Sequence, residues 1–171
     1  MRYGLLGEKL GHSYSPSIYR ELGIDDYRLF EVAPEEVESF LRGGDLAGLN
    51  VTIPYKKRVL PLCEGLTDIA RRLGNVNLLS FDDGGRLQGD NTDYGGFLYL
   101  LRRAGVDPAG KKVLVLGSGG AAQTVILACR DSGARQAVMI SRSGADNYGN
   151  LHRHADAQVL VNATPVGMYP Q

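Results

Sequence analysis

Apolar and polar positions along the chain switch repeatedly between two spacings. Apolar residues at every second position predict strands, and apolar residues three or four positions apart predict helices. In the stretch "AGLNVTIPYKKRV", Leu49, Val51 and Ile53 are apolar and alternate with polar positions. Asn50 and Thr52 are those polar positions. The alternation predicts a half-buried strand with the apolar residues on one face and the polar residues on the other.

The same stretch continues into a proline and a run of basic residues. Pro54 is expected to end the strand, because proline interrupts strand pairing. Lys56, Lys57 and Arg58 follow in sequence. The simplest interpretation of these three residues is a solvated helix start.

Strand and helix patterns alternate through the first half of the chain. The predicted order is strand "RYGLLG", helix "SPSIYREL", strand "YRLFEV", helix "PEEVESFLRGG", the alternating strand, helix "LTDIARRLG", a hairpin of "VNLLSF" and "RLQGDN", and helix "TDYGGFLYLLRRAG". Ser15 is the expected N-cap of the first helix, with Pro16 as its first residue. Ile18, Tyr19 and Leu22 share one face of that helix.

The pattern changes at Lys111. Strand "KKVLVLG", a glycine-rich turn and a helix are followed by strands "QAVMISR" and "QVLVNAT". The preceding segment "RRAGVDPAGK" has the composition of a linker. We therefore predict an α/β protein with domains at residues 1–104 and 105–171. The connection between the last two strands is short, so we expect its crossover helix to be missing or reduced.

The composition and charge of the chain limit which binding partners and which cellular compartment are expected. The 171 residues are 43% hydrophobic and 22% charged, which suits one good core or two small ones. Nineteen basic residues balance nineteen acidic ones, so we expect neither nucleic acid nor an anionic membrane as a partner. No apolar run reaches the roughly 20 residues of a membrane span, and no long apolar leader follows Met1. We expect a cytoplasmic protein in which Cys63 and Cys129 are buried, reduced thiols.

The glycine-rich turn gives the first chemical signal. Gly117, Gly119 and Ala122 satisfy G-x-G-x-x-A directly after a strand and at the head of a helix. Such glycines permit a tight turn and let a pyrophosphate approach backbone N–H groups at the positive end of the helix. The alternative is a glycine-rich turn without a ligand.

The end of the next strand bears on the choice of dinucleotide. NAD-binding folds place an acidic residue there for the ribose hydroxyls, whereas this chain has Ser141, Arg142 and Ser143. Arg142 is suited to stack on adenine and to offset a 2′-phosphate, and Ser143 to donate to a phosphate oxygen. This favours NADP. The alternative is an ordinary surface arginine after a strand.

Five motifs together resemble one family. "GHSYSP", "NVTIPYK", "GDNTDYGG", "GSGGAA" and "NATPVGM" occur in the order seen in shikimate dehydrogenases. The resemblance covers essentially the whole chain. It implies a substrate-binding α/β domain followed by an NADP-binding Rossmann domain, with the active site in the cleft between them. It also implies the reversible NADP-dependent interconversion of 3-dehydroshikimate and shikimate, a step of aromatic amino-acid (chorismate) biosynthesis.

The resemblance assigns substrate contacts in the first domain. Ser13 and Ser15 of "HSYSP" match hydroxyls that bind the substrate carboxylate. Asn50, Thr52 and Asn77 match side chains that bind substrate hydroxyls, although "GNVNLL" departs from the family's usual residues around Asn77.

The resemblance also assigns the catalytic pair and the cofactor contacts. Lys56 matches the catalytic lysine and Asp93 its aspartate partner. The matching NADP contacts are Gly117, Ser118, Gly119, Gly120, Ala121, Ser141, Arg142, Ser143, Thr164, Val166 and Met168.

A lysine and a carboxylate suit this chemistry because reduction of a ketone leaves an alkoxide that must receive a proton. A lysine near a carboxylate stabilises the developing oxyanion and exchanges the proton. Its role as proton carrier or as electrostatic clamp stays open. We interpret Lys57 and Arg58 as solvated, and Asp90 as a turn residue.

Further alternatives concern the chain as a whole. Only three Rossmann strands are predicted where the complete fold has six, so the resemblance suggests a C-terminally truncated member of the family. The alternatives to a shikimate dehydrogenase are a quinate or aminoshikimate dehydrogenase and a non-catalytic binding remnant. The histidines at 12, 152 and 154 lack the spacing of a metal site, and no metal is expected. We expect a small-molecule substrate and a monomer or homodimer.

Overall fold

The computed structural model describes residues 2–11 and 13–167, and these form two compact units. The first unit extends to Thr92 and the second begins at Asp93. This division falls twelve residues before the predicted boundary after Ala104. The difference has a packing cause: Phe97, within the last helix of the predicted first domain, packs against the hydrophobic cluster of the second unit.

The first unit is built on a mixed sheet. Among the described residues it has six strands: β1 Arg2–Gly7, β2 Tyr27–Glu31, β3 Leu46–Val51, β4 Gly65–Leu66, β5 Leu78–Phe81 and β6 Leu87–Asp90. Their order in the sheet is β2-β1-β3-β5-β6-β4. Strands β2, β1 and β3 are parallel, whereas β5 and β6 form the predicted antiparallel hairpin beside β3.

Short helices connect these strands. They are α1 Ser15–Glu21, α2 Val37–Arg42 and α3 Asp68–Leu73, with 3₁₀ turns at Pro34–Glu36 and Leu60–Leu62. The N-cap of α1 is Tyr14, so the prediction that Ser15 caps this helix is wrong. Ser15 instead lies inside the first turn, where its backbone N–H donates to Oγ of Ser13 at 3.2 Å.

The alternation in β3 is confirmed up to the end of the strand. Leu49 and Val51 are 1% and 2% exposed and belong to the main core of the first unit. Ile53, predicted on the same face, is 77% exposed, because β3 ends at Val51 and the chain turns away. Residues 53–59 form successive turns, so the predicted helix start at the basic run is also wrong.

The second unit has a parallel sheet. Its elements are α4 Thr92–Arg103, β7 Lys112–Leu116, α5 Gly120–Asp131, β8 Gln136–Ile140 and β9 Val159–Asn162, the first of which begins one residue before the unit boundary. The described strands have the order β8-β7-β9, and β7 is parallel to both neighbours. Residues Tyr148–His154 form a short 3₁₀ segment that is kinked at Asn150, which confirms that the crossover between β8 and β9 is reduced.

The two cysteines are free thiols that differ in burial. Cys129 on α5 is buried, whereas Cys63, which follows the second 3₁₀ turn, is half-buried. Burial raises the pKa of the Cys63 thiol to about 11. Its Sγ–H group donates to the carbonyl of Val59 at 3.3 Å. Cys63 therefore stays protonated at neutral pH and acts as a packing residue.

Candidate functional site

The predicted substrate residues lie near the carboxyl ends of the parallel strands of the first unit. β1 ends at Gly7 and β3 at Val51, and Leu6 is the parallel partner of Val51. Ser13 and Ser15 follow β1, whereas Asn50 and Thr52 stand at the end of β3. Ligands of α/β proteins bind at this edge of a parallel sheet. The structure thus places these four residues where the fold normally holds a small molecule.

The side chain of Asn50 is held by two tyrosines. The hydroxyl of Tyr19, on α1, donates to Oδ1 of Asn50 at 2.7 Å, and the hydroxyl of Tyr27, on β2, donates to the same oxygen at 2.8 Å. The two rings are stacked, with centroids 4.0 Å apart and planes within 7° of parallel. No role was predicted for either tyrosine, because pairing through space between α1, β2 and β3 leaves no local sequence pattern.

Ser15 also belongs to this group of side chains. Burial is the largest cause of a raised pKa at Tyr27, the neighbouring Tyr19 adds to it, and a hydrogen bond with Ser15 opposes both. Tyr27 therefore remains a protonated phenol and a hydrogen-bond donor at neutral pH.

The turn after β3 is fixed by backbone hydrogen bonds. The N–H of Thr52 donates to the carbonyl of Leu6 at 3.0 Å, and the carbonyl of Thr52 accepts from the N–H of Tyr55 at 2.8 Å. The carbonyl of Lys56 accepts from the N–H of Val76 at 2.7 Å. The backbone before and after this turn is therefore hydrogen-bonded to other parts of the unit. These bonds fix the position of the Lys56 backbone, from which its side chain extends.

Tyr55 anchors this turn from inside the core. It is fully buried, and its hydroxyl donates to the carbonyl of Val32 at 2.5 Å. Burial raises the pKa of Tyr55. On the same turn Lys56 is half-buried, whereas Lys57 and Arg58 are exposed. The three basic residues therefore differ in surroundings as the sequence predicts, with one partly enclosed and two in solvent.

Asn77 is buried and bonded to the start of α4. Its Nδ2 donates to Oγ1 of Thr92 at 3.1 Å, and its Oδ1 accepts from the backbone N–H of Thr92 at 2.8 Å. Asp93, the predicted partner of Lys56, is the second residue of α4 and is half-buried. Asn77 thus positions the start of the helix that carries Asp93.

A pair of buried amides also supports this region. Nδ2 of Asn91 donates to Oδ1 of Asn75 at 2.6 Å, and both residues are nearly inaccessible to solvent. Asp90, the last residue of β6, accepts from the hydroxyl of Thr67 and from the N–H of Asn91. These bonds support the interpretation of Asp90 as a structural residue at a turn.

In the second unit the glycine-rich turn joins β7 to α5. Gly117 has φ of +114°, and a Cβ built there would lie 2.8 Å from the carbonyl oxygen of Ala163. Gly119 precedes α5 with an extended backbone, and a Cβ there would meet no described atom within 4 Å. One glycine therefore permits a close contact between neighbouring strand ends, and the other leaves open space in front of a helix N-terminus. This arrangement fits a dinucleotide pyrophosphate.

The loop after β8 carries the predicted 2′-phosphate contacts. Arg142 and Ser143 are exposed, and the N–H of Ser141 donates to the carbonyl of Asp146 at 3.2 Å. Asn147 holds the loop through a bond from its Nδ2 to the carbonyl of Gly144 at 3.1 Å. The hydroxyls of Ser141 and Ser143 and the guanidinium of Arg142 therefore follow β8, at the position where an acidic residue would favour NAD.

The loop after β9 is organised by Asn162. Its Oδ1 accepts from the N–H and the hydroxyl of Thr164, at 3.0 and 2.7 Å, and its Nδ2 donates to the carbonyl of Val166 at 3.0 Å. The N–H of Ala163 donates to the carbonyl of Leu116, next to the glycine-rich turn. No role was predicted for Asn162, although an asparagine at a strand end before Thr-Pro is a recognisable turn signal. Met168 lies outside the described residues.

Two features are absent from residues 2–11 and 13–167. No helix in this part of the chain is long and apolar enough to cross a bilayer. Within the same residues, no three histidine, cysteine or acidic side chains are grouped as metal ligands would be. His12 lies outside the described residues.

The fold and the glycine-rich turn define an α/β protein whose second unit has the strand–turn–helix arrangement of dinucleotide-binding folds. Residues 5–79 match the family model described as the shikimate dehydrogenase substrate binding domain. The chain is 37% identical to the shikimate dehydrogenase (NADP(+)) of Clostridium perfringens strain SM101, over 98% of this chain and 69% of that protein. The chain belongs to the shikimate dehydrogenase family.

Solved structures agree with this assignment. The crystal structure of shikimate dehydrogenase 1 from Peptoclostridium difficile superposes with a TM-score of 0.87 at 34% identity, covering all of this chain and 69% of that one. The shikimate 5-dehydrogenase of Thermus thermophilus, in complex with NADP(H) and shikimate, superposes with a TM-score of 0.84 at 31% identity. That match covers 98% of this chain and 69% of the other. The likeness confirms the predicted α/β fold class across both units.

Proposed function

We propose that this chain is an NADP-dependent oxidoreductase that interconverts 3-dehydroshikimate and shikimate. The observation that carries the proposal is the likeness over 98% of the chain to a relative named shikimate dehydrogenase (NADP(+)). The geometry supports it, because the residues that match the family's substrate contacts lie at the carboxyl edge of the parallel strands of the first unit. On this proposal residues 1–104 supply the substrate-binding domain and residues 105–171 the NADP-binding domain.

In the first unit, we assign the carboxylate of the substrate to the hydroxyls of Ser13 and Ser15. Asn50, Thr52 and Asn77 are assigned to its hydroxyl groups. The support is positional: Asn50 is fixed by two phenols, and Thr52 belongs to a turn tied to β1.

Lys56 and Asp93 are the proposed catalytic residues. NADPH, when bound, supplies the hydride that reduces the ketone carbon. The ammonium of Lys56 serves the developing alkoxide oxygen as an electrostatic clamp or as a proton source at Nζ. A half-buried position strengthens either role, since charge interactions are stronger where water is partly excluded.

In the second unit, the turn and loop residues are the proposed NADP contacts. The backbone of residues 117–121 faces the pyrophosphate, and Ser141, Arg142 and Ser143 contact the adenosine 2′-phosphate. Thr164, Val166 and Met168 complete the set beside the nicotinamide. The support from the structure is that residues 117–121, at the glycine-rich turn and the start of α5, follow β7, and residues 164–166 follow the adjacent parallel strand β9.

A direct assay tests the proposal. The purified 171-residue chain is incubated with shikimate or quinate in the presence of NADP or NAD, and reduced cofactor is followed by absorbance. We expect turnover with shikimate and NADP above the other three pairings. Preference for quinate would replace the substrate assignment, and binding of shikimate and NADP without turnover would favour a non-catalytic binding function. If no pairing reacts and neither cofactor binds, the proposed function is wrong.

Oligomeric state and location stay predictions from the sequence. We propose a monomer or homodimer, which sedimentation velocity distinguishes from larger assemblies. A cytoplasmic location is likewise proposed from the sequence, and cell fractionation tests it.

A further inference from the structure

The three side chains of Asn50, Tyr19 and Tyr27 come from separate elements and meet at one oxygen. Tyr19 lies on α1, Tyr27 on β2 and Asn50 on β3, so β1 separates the two strands involved. Tyr27 is 7% exposed and packs in a small hydrophobic cluster with Leu5, against which Tyr19 also packs. The stacked rings therefore form a packed support beneath the polar face of β3 near its carboxyl end.

The hydrogen-bonding capacity of an amide decides what Asn50 offers to a ligand. A carboxamide oxygen has two lone pairs and its nitrogen carries two N–H donors. Both phenols donate to Oδ1, at 2.7 and 2.8 Å. They must be the donors, because a carbonyl oxygen can only accept hydrogen bonds. The two donors fill both lone pairs. Asn50 is left with N–H groups alone for a bound molecule.

Two phenols at one oxygen also fix which way the amide faces. A flipped Asn50 would place its NH₂ group against the two hydroxyls, which would then accept hydrogen bonds while their own protons lost Oδ1 as their acceptor. The burial of Tyr27 keeps its phenol protonated, because burial raises the pKa of this group. The Tyr27 proton thus remains available to Oδ1 throughout the ordinary pH range.

We propose that Tyr19 and Tyr27 are positioning residues that orient the carboxamide of Asn50, so that Asn50 meets the substrate only as an N–H donor. A substrate hydroxyl at this position is then recognised through its oxygen. The identity of that substrate rests on the proposed function, whereas the orientation of the amide does not.

Nuclear magnetic resonance of the free protein tests the orientation. The side-chain signals of Asn50 are assigned by their loss in Asn50→Ser, and then compared in Tyr19→Phe, Tyr27→Phe and the double variant. We expect the Asn50 carbonyl carbon to move upfield in each single variant and further in the double variant, because each change removes one hydrogen bond to Oδ1. Tyr3→Phe, a half-exposed tyrosine on β1, is the matched control and should leave the signal in place. Unchanged Asn50 signals in both single variants would overturn the inference.

Ligand binding provides the second measurement. For the double variant we expect the Kd or KM for shikimate to rise by about tenfold with kcat nearly unchanged, because a loosened amide weakens ground-state and transition-state binding equally. Wild-type affinity in the double variant would also overturn the inference. Failure of the wild-type chain to bind shikimate would instead count against the proposed function, and the Asn50 signals would still decide the orientation.

Discussion

The carboxamide of Asn77 is bonded through both of its polar atoms to Thr92. Nδ2 donates to the hydroxyl at 3.1 Å, and Oδ1 accepts from the backbone N–H at 2.8 Å. The N–H groups of the first turn of a helix lack acceptors within the helix. Asn77, which directly precedes β5, supplies an acceptor for one of them, the N–H of Thr92. A predicted substrate ligand is therefore also a structural support for α4.

Removal of this amide should lower stability. We expect Asn77→Ala to reduce the free energy of unfolding by about 1–3 kcal/mol, because it removes two hydrogen bonds that a buried amide makes to Thr92. Ser80→Ala, at an exposed position on the adjoining strand β5, is the matched control and should change stability by less than about 0.5 kcal/mol. Urea denaturation of the two variants measures the difference, and equal midpoints would contradict the structural role.

The neighbouring lysines at 56 and 57 provide a test of the proposed catalysis. Lys56→Ala should reduce kcat by about 10²–10⁴-fold, the range typical of a lost acid–base group, whereas Lys57→Ala should stay within a factor of about two. The reason is their surroundings, since Lys56 is half-buried and Lys57 is exposed. Steady-state kinetics with shikimate and NADP measures both variants. The reverse pattern, with Lys57 essential and Lys56 dispensable, would show that the assignment is wrong.

Two glycines of the nucleotide turn should respond differently to a methyl group. Gly117→Ala should lower the free energy of unfolding by about 1–3 kcal/mol, because φ is +114° and the new Cβ would lie 2.8 Å from the carbonyl oxygen of Ala163. Gly119→Ala should cost less than about 1 kcal/mol, since its Cβ would meet open space.

The NADP affinity of the Gly119→Ala variant distinguishes an effect on cofactor binding from an effect on folding. Gly119→Ala should weaken binding while the protein stays folded, because the methyl group occupies the space proposed for the pyrophosphate. Calorimetric titration with NADP measures this. Unchanged affinity in a folded Gly119→Ala protein would count against the proposed pyrophosphate position.

The ion pair of Lys112 and Asp156 predicts a pH dependence of stability. The side chain of Lys112 is 7% exposed, and its Nζ lies 2.5 Å from Oδ1 of Asp156. Hydrogen bonding and charge interaction with Lys112 lower the pKa of Asp156 in the folded protein. The carboxylate therefore stabilises the fold above its unfolded pKa of about 3.9, and the contribution is lost as the pH falls through the lower folded value.

We accordingly expect Asp156→Asn to be less stable than wild type at pH 7, and we expect the difference to shrink as the pH falls from about 4 through the lower folded pKa of Asp156. Asp107→Asn is the matched control and should stay close to wild type in stability. Asparagine keeps an acceptor for the N–H of Ala109 at that exposed turn. Urea denaturation between neutral and acidic pH follows the difference. A gap between wild type and Asp156→Asn that does not narrow on acidification would contradict this account.

Local spacing predicted the strands and the glycine turn well. The alternation at Leu49 and Val51, the hairpin around "DDGG" and the short connection before β9 all depend on residues close in sequence, and all three predictions are confirmed. The same rules failed at Ile53, because alternation has no meaning once the strand has ended. They also failed at Ser15, because the hydroxyl of Ser13 meets the Ser15 N–H and the helix begins one position earlier than a serine cap would require.

The supporting residues of the candidate site depend on distant pairing. Tyr19 and Tyr27 meet Asn50 across 31 and 23 positions of sequence, and Asn77 meets Thr92 across 15. No periodicity within one element carries such information. The predicted contacts were therefore recognised by their motifs, whereas the side chains that hold them in place became visible only in the folded chain.

The stacked tyrosines also have an optical consequence. The chain contains nine tyrosines and no tryptophan, so tyrosine dominates its ultraviolet emission. Tyr19 and Tyr27 share the amide oxygen of a proposed substrate ligand, and the emission of a phenol changes with its hydrogen bonding. A molecule that binds at Asn50 should therefore alter the intrinsic fluorescence of the unlabelled protein, with Tyr19→Phe and Tyr27→Phe identifying the source of the signal.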